Sequence, residues 1–174
     1  VITNPTNTTA CSGEDATFSI TAVSAATYVW EYSDNGTDWT AVGGNSESLT
    51  VSAVLLSTNG REYRVKVTAA FCTATSESAV LTVNALPTVT LGAGAKFCDG
   101  KTTTLDLTFT GTTDFTFKYD YTEGPTTGTV AGPYSSLNEE LTLDKEGEYI
   151  ITEVTDANCT ATGLTVTQTI ENLE

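Results

Sequence analysis

The sequence predicts an all-β chain built from two consecutive β-sandwich modules, residues 1–84 and 85–174, and three observations carry that reading. Tyr28, Trp30 and Tyr32 alternate with Val29, Glu31 and Ser33, the period of a half-buried strand, and Asp34-Asn35-Gly36 supplies turn chemistry for a hairpin. Threonine is abundant, Met and His are absent, and no stretch carries the apolar period of a long helix. Cys11 and Cys72 are 61 residues apart, as are Cys98 and Cys159, a shared spacing that marks two copies of one unit.

Taken in order, the first half reads as seven or so short strands. Ala16, Phe18, Ile20 and Ala22 alternate with polar residues, giving one buried face. The aromatic hairpin follows, with Trp30 as a large apolar body that an opposing sheet must cover. Residues 48–54 form a strand, and Ser57-Thr58-Asn59-Gly60 a corner. Beyond it, Tyr63, Val65 and Val67 face one way and Glu62, Arg64 and Lys66 the other, and residues 79–83 form the last strand. The predicted core centres on Ile20, Trp30, Tyr63 and Val65, with Tyr149 in the place of Tyr63 in the second half.

The second half repeats these landmarks. Cys11-Ser12-Gly13 returns as Cys98-Asp99-Gly100, the approach to Tyr63 as Lys145-Glu146-Gly147-Glu148-Tyr149, and Cys72-Thr73-Ala74-Thr75 as Cys159-Thr160-Ala161-Thr162. The boundary falls near Ala85-Leu86-Pro87, where Pro suits an extended connection. So short a junction leads us to expect modules set end to end at restricted angles. The central tryptophan has no counterpart; Phe117 or Tyr119 takes its position.

Composition narrows the partners. A net charge of −15 lacks the clustered Lys and Arg that phosphate backbones and anionic membranes require. The charge is uneven: 3 basic against 8 acidic side chains in residues 1–84, and 4 against 14 in residues 85–174. No apolar run is long enough to span a membrane. The chain begins with Val and shows no leader, so it is read as part of a longer, processed protein.

Residues 13–20, with Gly-Glu-x-x-Thr and alternating apolar positions, the central Trp30, Leu49-x-Val51-x-x-Val54 and the Gly60-to-Tyr63 corner together resemble an immunoglobulin-like domain. The resemblance implies two tandem immunoglobulin-like β-sandwiches. It departs at Ile20 and Val65, which stand where that family places its cross-sheet cysteines. Cys11-Ser12-Gly13-Glu14, the hairpin from Trp30 to Trp39, Asn59-Gly60 before Tyr63, and residues 155–162 also resemble the tandem immunoglobulin-like or polycystic-kidney-disease-like repeats of large secreted and surface adhesins of gliding and related Gram-negative bacteria of the Bacteroidota type. That resemblance implies an extracellular, cell-surface, non-catalytic spacer or adhesive role, with neighbouring repeats of the same chain as its first partners.

Cys11, Cys72, Cys98 and Cys159 are read as disulfide cysteines, because no Cys-x-x-Cys pair and no His completes a zinc site. The repeat makes Cys11 to Cys72 with Cys98 to Cys159 the simplest pairing, each closing a loop worth about 4 kcal/mol. Strand length objects, since the immunoglobulin-like topology sets Cys11 and Cys72 at opposite ends of a sandwich. The within-repeat pairing is adopted, with Cys11 to Cys159 the alternative, which would leave Cys72 and Cys98 for neighbouring repeats.

Asp34-Asn35-Gly36-Thr37-Asp38 has the opening of a calcium loop but lacks its twelfth-position Glu and its flanking helices, so it reads as a turn. Glu14, Asp15, Asp156 and Asn158 remain calcium candidates near the junction; no other cofactor is expected. Catalysis lacks a His base, a nucleophile elbow and a phosphate loop, and the adjacent Glu139 and Glu140 point to opposite faces. The expected function is a stiff spacer or stalk of a surface adhesin. The alternative is a module that takes carbohydrate or protein through exposed Tyr32, Trp39 and Tyr134.

Overall fold

The computed structural model describes residues 2–22, 27–70, 72–122 and 129–173, and its contacts divide the chain into two units, Val1–Ala85 and Leu86–Glu174. Both are built almost wholly of strands. The first contains β1 (Thr8–Cys11), β2 (Ala16–Ser19), β3 (Thr27–Ser33), β4 (Thr40–Gly43), β5 (Ser48–Val51), a 3-10 turn (Leu56–Thr58), β6 (Glu62–Ala69), β7 (Cys72–Thr75) and β8 (Ala79–Asn84). One sheet runs β1-β8-β6-β3-β4, with β7 also on β6, and faces the pair β2-β5.

The second contains β9 (Thr88–Leu91), β10 (Lys96–Cys98), β11 (Thr103–Thr110), β12 (Phe115–Tyr121), β13 (Thr129–Tyr134), β14 (Asn138–Leu143), β15 (Gly147–Thr155) and β16 (Thr160–Leu173). Its sheets run β10-β16-β15-β12-β13 and β14-β11-β9. The larger sheet keeps the order of the first unit, with β16 doing alone what β7 and β8 do together, while the smaller sheet gains β9, where the first unit has only the bridge between Ile2 and Ala22. Each unit is an immunoglobulin-like sandwich.

In each unit a short early strand lies parallel to the last one: Thr8 to Cys11 run beside Leu81 to Asn84, and Lys96 to Cys98 beside Glu171 to Leu173. The remaining pairings in these sheets are antiparallel. The chain therefore enters each sandwich at one end and leaves it at the other.

Alternation explains the first core. Ala16 and Phe18 on β2, Trp30 on β3, Val65 and Val67 on β6 and Leu81 on β8 all point between the sheets and are buried. Ile20 and Val65 fill the space a cross-sheet disulfide would occupy, both buried beside Trp30. Trp30 is 0% exposed, and its indole N–H donates to the Ser46 carbonyl at 3.0 Å, which satisfies the one polar atom the core must accommodate.

In the second unit Tyr119 pairs with Ile151, two residues after Tyr149, as Trp30 pairs with Val65, two residues after Tyr63. Tyr119 is thus the register equivalent of Trp30, yet it is only half-buried. A bulge between Lys118 and Tyr119 lets Phe117, with Phe109 and Phe115, fill the centre instead. A second cluster, Phe97, Leu105, Leu143, Tyr149 and Ile170, occupies the far end.

Two details differ from expectation. The Tyr63 ring is buried and stacks on Phe18 at 4.7 Å, but the hydroxyl-to-backbone bond of a tyrosine corner is made by Tyr149, which donates to the Lys145 carbonyl at 3.2 Å. Burial, with the nearby Tyr121, Tyr119 and Asp144, pushes the Tyr149 hydroxyl up to about 12, so it stays a donor at any ordinary pH. The strand at Ser48 ends at Val51 rather than 54, because the Val54 N–H turns to the Glu14 carbonyl at 2.7 Å.

Trp30→Ala should cost about 3–5 kcal/mol as a large core truncation, Phe117→Ala a similar amount, and Tyr119→Ala clearly less. Both tryptophans lie in the first unit, so denaturant unfolding followed by circular dichroism measures all three. A loss below about 1 kcal/mol for Trp30→Ala would contradict the packing.

Candidate functional site

The outward face of the β3-β6 sheet carries the most organised polar cluster. Glu31, Arg64 and Lys66 all point away from the core by alternation. Arg64 Nε donates to Glu31 Oε2 at 2.9 Å and Lys66 Nζ to Oε1 at 2.7 Å. Burial pushes the Glu31 carboxyl up, but the hydrogen bonds and charges of Lys66 and Arg64 outweigh it and hold the group below its usual range. The Arg64 guanidinium lies 3.8 Å from the centre of the Trp39 ring, a cation–π stack that fixes the loop before β4 to the sheet. This chain of contacts is structural in character: each charge has a partner and no unpartnered group is presented to a ligand.

The three aromatics proposed as ligand contacts are all engaged. Arg61 sits 4.2 Å over Tyr32 while holding Asp34 with two bonds of 2.7 and 3.1 Å. Trp39 is half-buried under Arg64. Tyr134 stacks on Phe109 at 6.1 Å and Phe117 at 5.8 Å, as part of the second core. None stands free on a loop. Asn35, Thr37 and Asp38 form a turn in which Asn35 Oδ1 accepts from the Thr37 and Asp38 N–H groups at 2.9 and 2.8 Å.

The calcium candidates hold loops closed. Glu14 accepts from the Cys11 N–H at 3.1 Å and Asp15 from the Ala53 N–H at 2.8 Å. Asp156, 6% exposed, accepts from the backbone N–H groups of Asn158 (2.8 Å), Cys159 (2.7 Å) and Thr112 (2.8 Å). The Asn158 amide donates to the Thr112 hydroxyl at 2.8 Å. A Cβ on Gly111 would come within 2.5 Å of Asp156 Oδ2, so that position admits only glycine. Among the described residues no group of three His, Cys, Asp or Glu side chains converges as a metal would require. A depression over β11 and β14 is lined by Asp106, Thr108, Asn138, Glu139 and Glu140. It sets Asp106 directly across from Glu140, a like-charge pair that costs stability.

The cysteines correct the within-repeat pairing. Cys72 and Cys98 are exposed free thiols, whereas Cys11 and Cys159 are buried and each disulfide-bonded. Strand polarity is the reason. Cys11 lies beside Asn84, five positions past Ala79 on β8, while Cys72 lies beside Ala69, six positions past Tyr63 on β6, and Ala79 pairs with Tyr63. The two cysteines therefore sit about 35 Å apart along the strands at roughly 3.3 Å per residue. Cys98 and Cys159 lie at opposite ends of β16, roughly 45 Å apart by the same rise. A disulfide needs Cα atoms within about 7 Å.

One family match agrees with the fold of the second unit. Residues 87–167 match the family described as the Ig-like domain of the nucleoporin POM152, and residues 2–85 match a domain of unknown function, DUF8696. No curated protein sequence matches significantly. Similar solved structures include the N-terminal four Ig domains of Dscam1 isoform 8.4, at 16% identity and a TM-score of 0.42, covering 98% of this chain and 44% of that one. Isoform 6.9 matches at 15% identity and 0.40, covering 99% and 47%. Dpr2 Ig1-Ig2 in complex with DIP-Theta Ig1-Ig3 matches at 15% and 0.38, covering 99% and 64%. The chain thus spans less than half the length of the Dscam1 structures.

Asp156→Ala should destabilise the second unit by about 2–4 kcal/mol, since several buried N–H donors lose their acceptor, and Asp156→Asn by less. Tryptophan fluorescence, reporting on the first unit alone, should be unchanged while the second circular-dichroism transition shifts. Glu31 gives a pH signature. Because its folded value is depressed, the stability it contributes is present above its ordinary value of about 4.5 and is lost as pH falls through the folded value. The stability gap between wild type and Glu31→Gln, read by tryptophan fluorescence, should therefore shrink on acidification; a gap that stays constant would contradict the assignment.

Proposed function

We propose that the chain is a non-catalytic extracellular spacer, two immunoglobulin-like repeats in the stalk of a large cell-surface adhesin, which transmits tension between its neighbours. The observation that carries this reading is the parallel pairing of β1 with β8 and of β10 with β16. A strand pair loaded from the start of one member and the end of the other is pulled in shear, so its hydrogen bonds must yield together. Pairs loaded at the same end peel one bond at a time. Both units share this arrangement, and only Ala85-Leu86-Pro87 separates β8 from β9.

Other features are consistent with a spacer. The residues proposed to meet a ligand are spent on internal contacts, and the chain is threonine-rich and acidic. Among the described residues no helix is long and apolar enough to cross a membrane. Disulfide chemistry at Cys11 and Cys159 suits an oxidising, extracytoplasmic setting.

The test is single-molecule extension of the chain by its two ends, in reductant so that force passes through the hydrogen-bonded strands. Two unfolding events should appear. The Ser12 N–H donates to the Asn84 carbonyl at 2.9 Å, and alternation then turns the Ala10 N–H toward β8 as well. Ala10→Pro removes that donor and should lower the rupture force of the first unit while leaving that of the second unchanged. Equal forces for variant and wild type would remove the basis for the proposal.

A further inference from the structure

The four cysteines fall into two structural classes, one of each per unit. Cys11 and Cys98 close the short parallel strand, opposite Asn84 and Leu173 at the end of the last strand. Cys72 and Cys159 lie in the hairpin before the last strand: Cys72 pairs with Ala69, and the Cys159 carbonyl accepts from the Asp156 N–H at 2.9 Å. One cysteine of each class is disulfide-bonded, Cys11 and Cys159. The other of each class, Cys98 and Cys72, is an exposed thiol. Each free thiol therefore occupies a position at which its counterpart in the other unit is already a half-cystine.

We infer that Cys72 and Cys98 are the unused halves of the same bond, each taking as partner a cysteine of the opposite class on a further unit of this kind. Cys98 would meet a hairpin cysteine like Cys72 on the unit that follows, and Cys72 a strand-end cysteine like Cys98 on the unit that precedes. In forming each bond, two thiols lose two protons and two electrons and one S–S bond is made. A disulfide oxidant takes up the electrons and is reduced to two thiols. The inference rests on the repeat and on the state of the cysteines, and it stands whether or not the units carry tension.

The test fuses two copies of the 174-residue chain head to tail through their natural ends and folds the product in a buffer of reduced and oxidised glutathione. Free thiols are counted by alkylation and mass spectrometry, and linked peptides are mapped. The bonded state of Cys11 and Cys159 in both copies reports correct folding. The expected result is a bond from Cys98 of the first copy to Cys72 of the second, with Cys72 of the first copy and Cys98 of the second left free. Cys72→Ser in the second copy, an exposed position, should leave Cys98 of the first reduced. Four free thiols, bonds between like classes, or a bond between Cys72 and Cys98 of one copy would overturn the inference. The unfused chain in the same buffer identifies the source of the partner: a Cys98-to-Cys72 bond between molecules assigns it to separate copies as well, and monomers alone assign it to a tandem neighbour.

Discussion

The parallel pairing of an early strand with the last one is the constraint on which the rest depends. It covers the open N–H and C=O groups of β8 or β16 with a short strand, which then forms the edge of the sheet. It sends the chain in at one end and out at the other. It also decides the cysteine chemistry, because it places the strand-end cysteine and the hairpin cysteine of one unit at opposite ends of the sandwich. A family that pins its sheets with a central disulfide needs cysteines at mid-strand. This chain instead keeps Ile20 and Val65 there, and its cysteines lie at the ends.

Apolar packing consequently carries the core, and the two units solve the problem differently. The first relies on one indole with its hydrogen bond to Ser46. The second spreads the load over Phe109, Phe115 and Phe117 at one end and Tyr149 with Ile170 at the other. A bulge at Tyr119 accommodates that change. Charge is placed where packing cannot use it: Glu31 is shielded by two cations on the outer face, while Asp106 and Glu140 oppose each other on an exposed one.

Much of this was legible in the sequence, and the parts that were not share a cause. Trp30, Phe18 and Val65 announced themselves by alternation, which is local, and the repeat spacing announced two copies of one unit. The arginines over Tyr32 and Trp39 were not legible, because Arg61 and Arg64 lie more than twenty residues away and only strand register brings them together. The cysteine states depend on register in the same way. Asp156 could have been found: Asp-x-Asn before a strand is an Asx-turn signal, and reading it as a metal candidate overlooked the backbone N–H groups that such a turn directs at the carboxylate. The missing tyrosine corner at Tyr63 had no sequence signal, since Tyr149 follows a similar approach and does make the bond.

Direction of loading tests the central claim most directly. With the chain in reductant, the first unit can be stretched between its N-terminus and a handle after Asn84, which shears β1 against β8, or between its N-terminus and a handle at Glu77, exposed just before β8, which peels them from one end. The account predicts a clearly higher rupture force in the first geometry. Equal forces in the two geometries would contradict it.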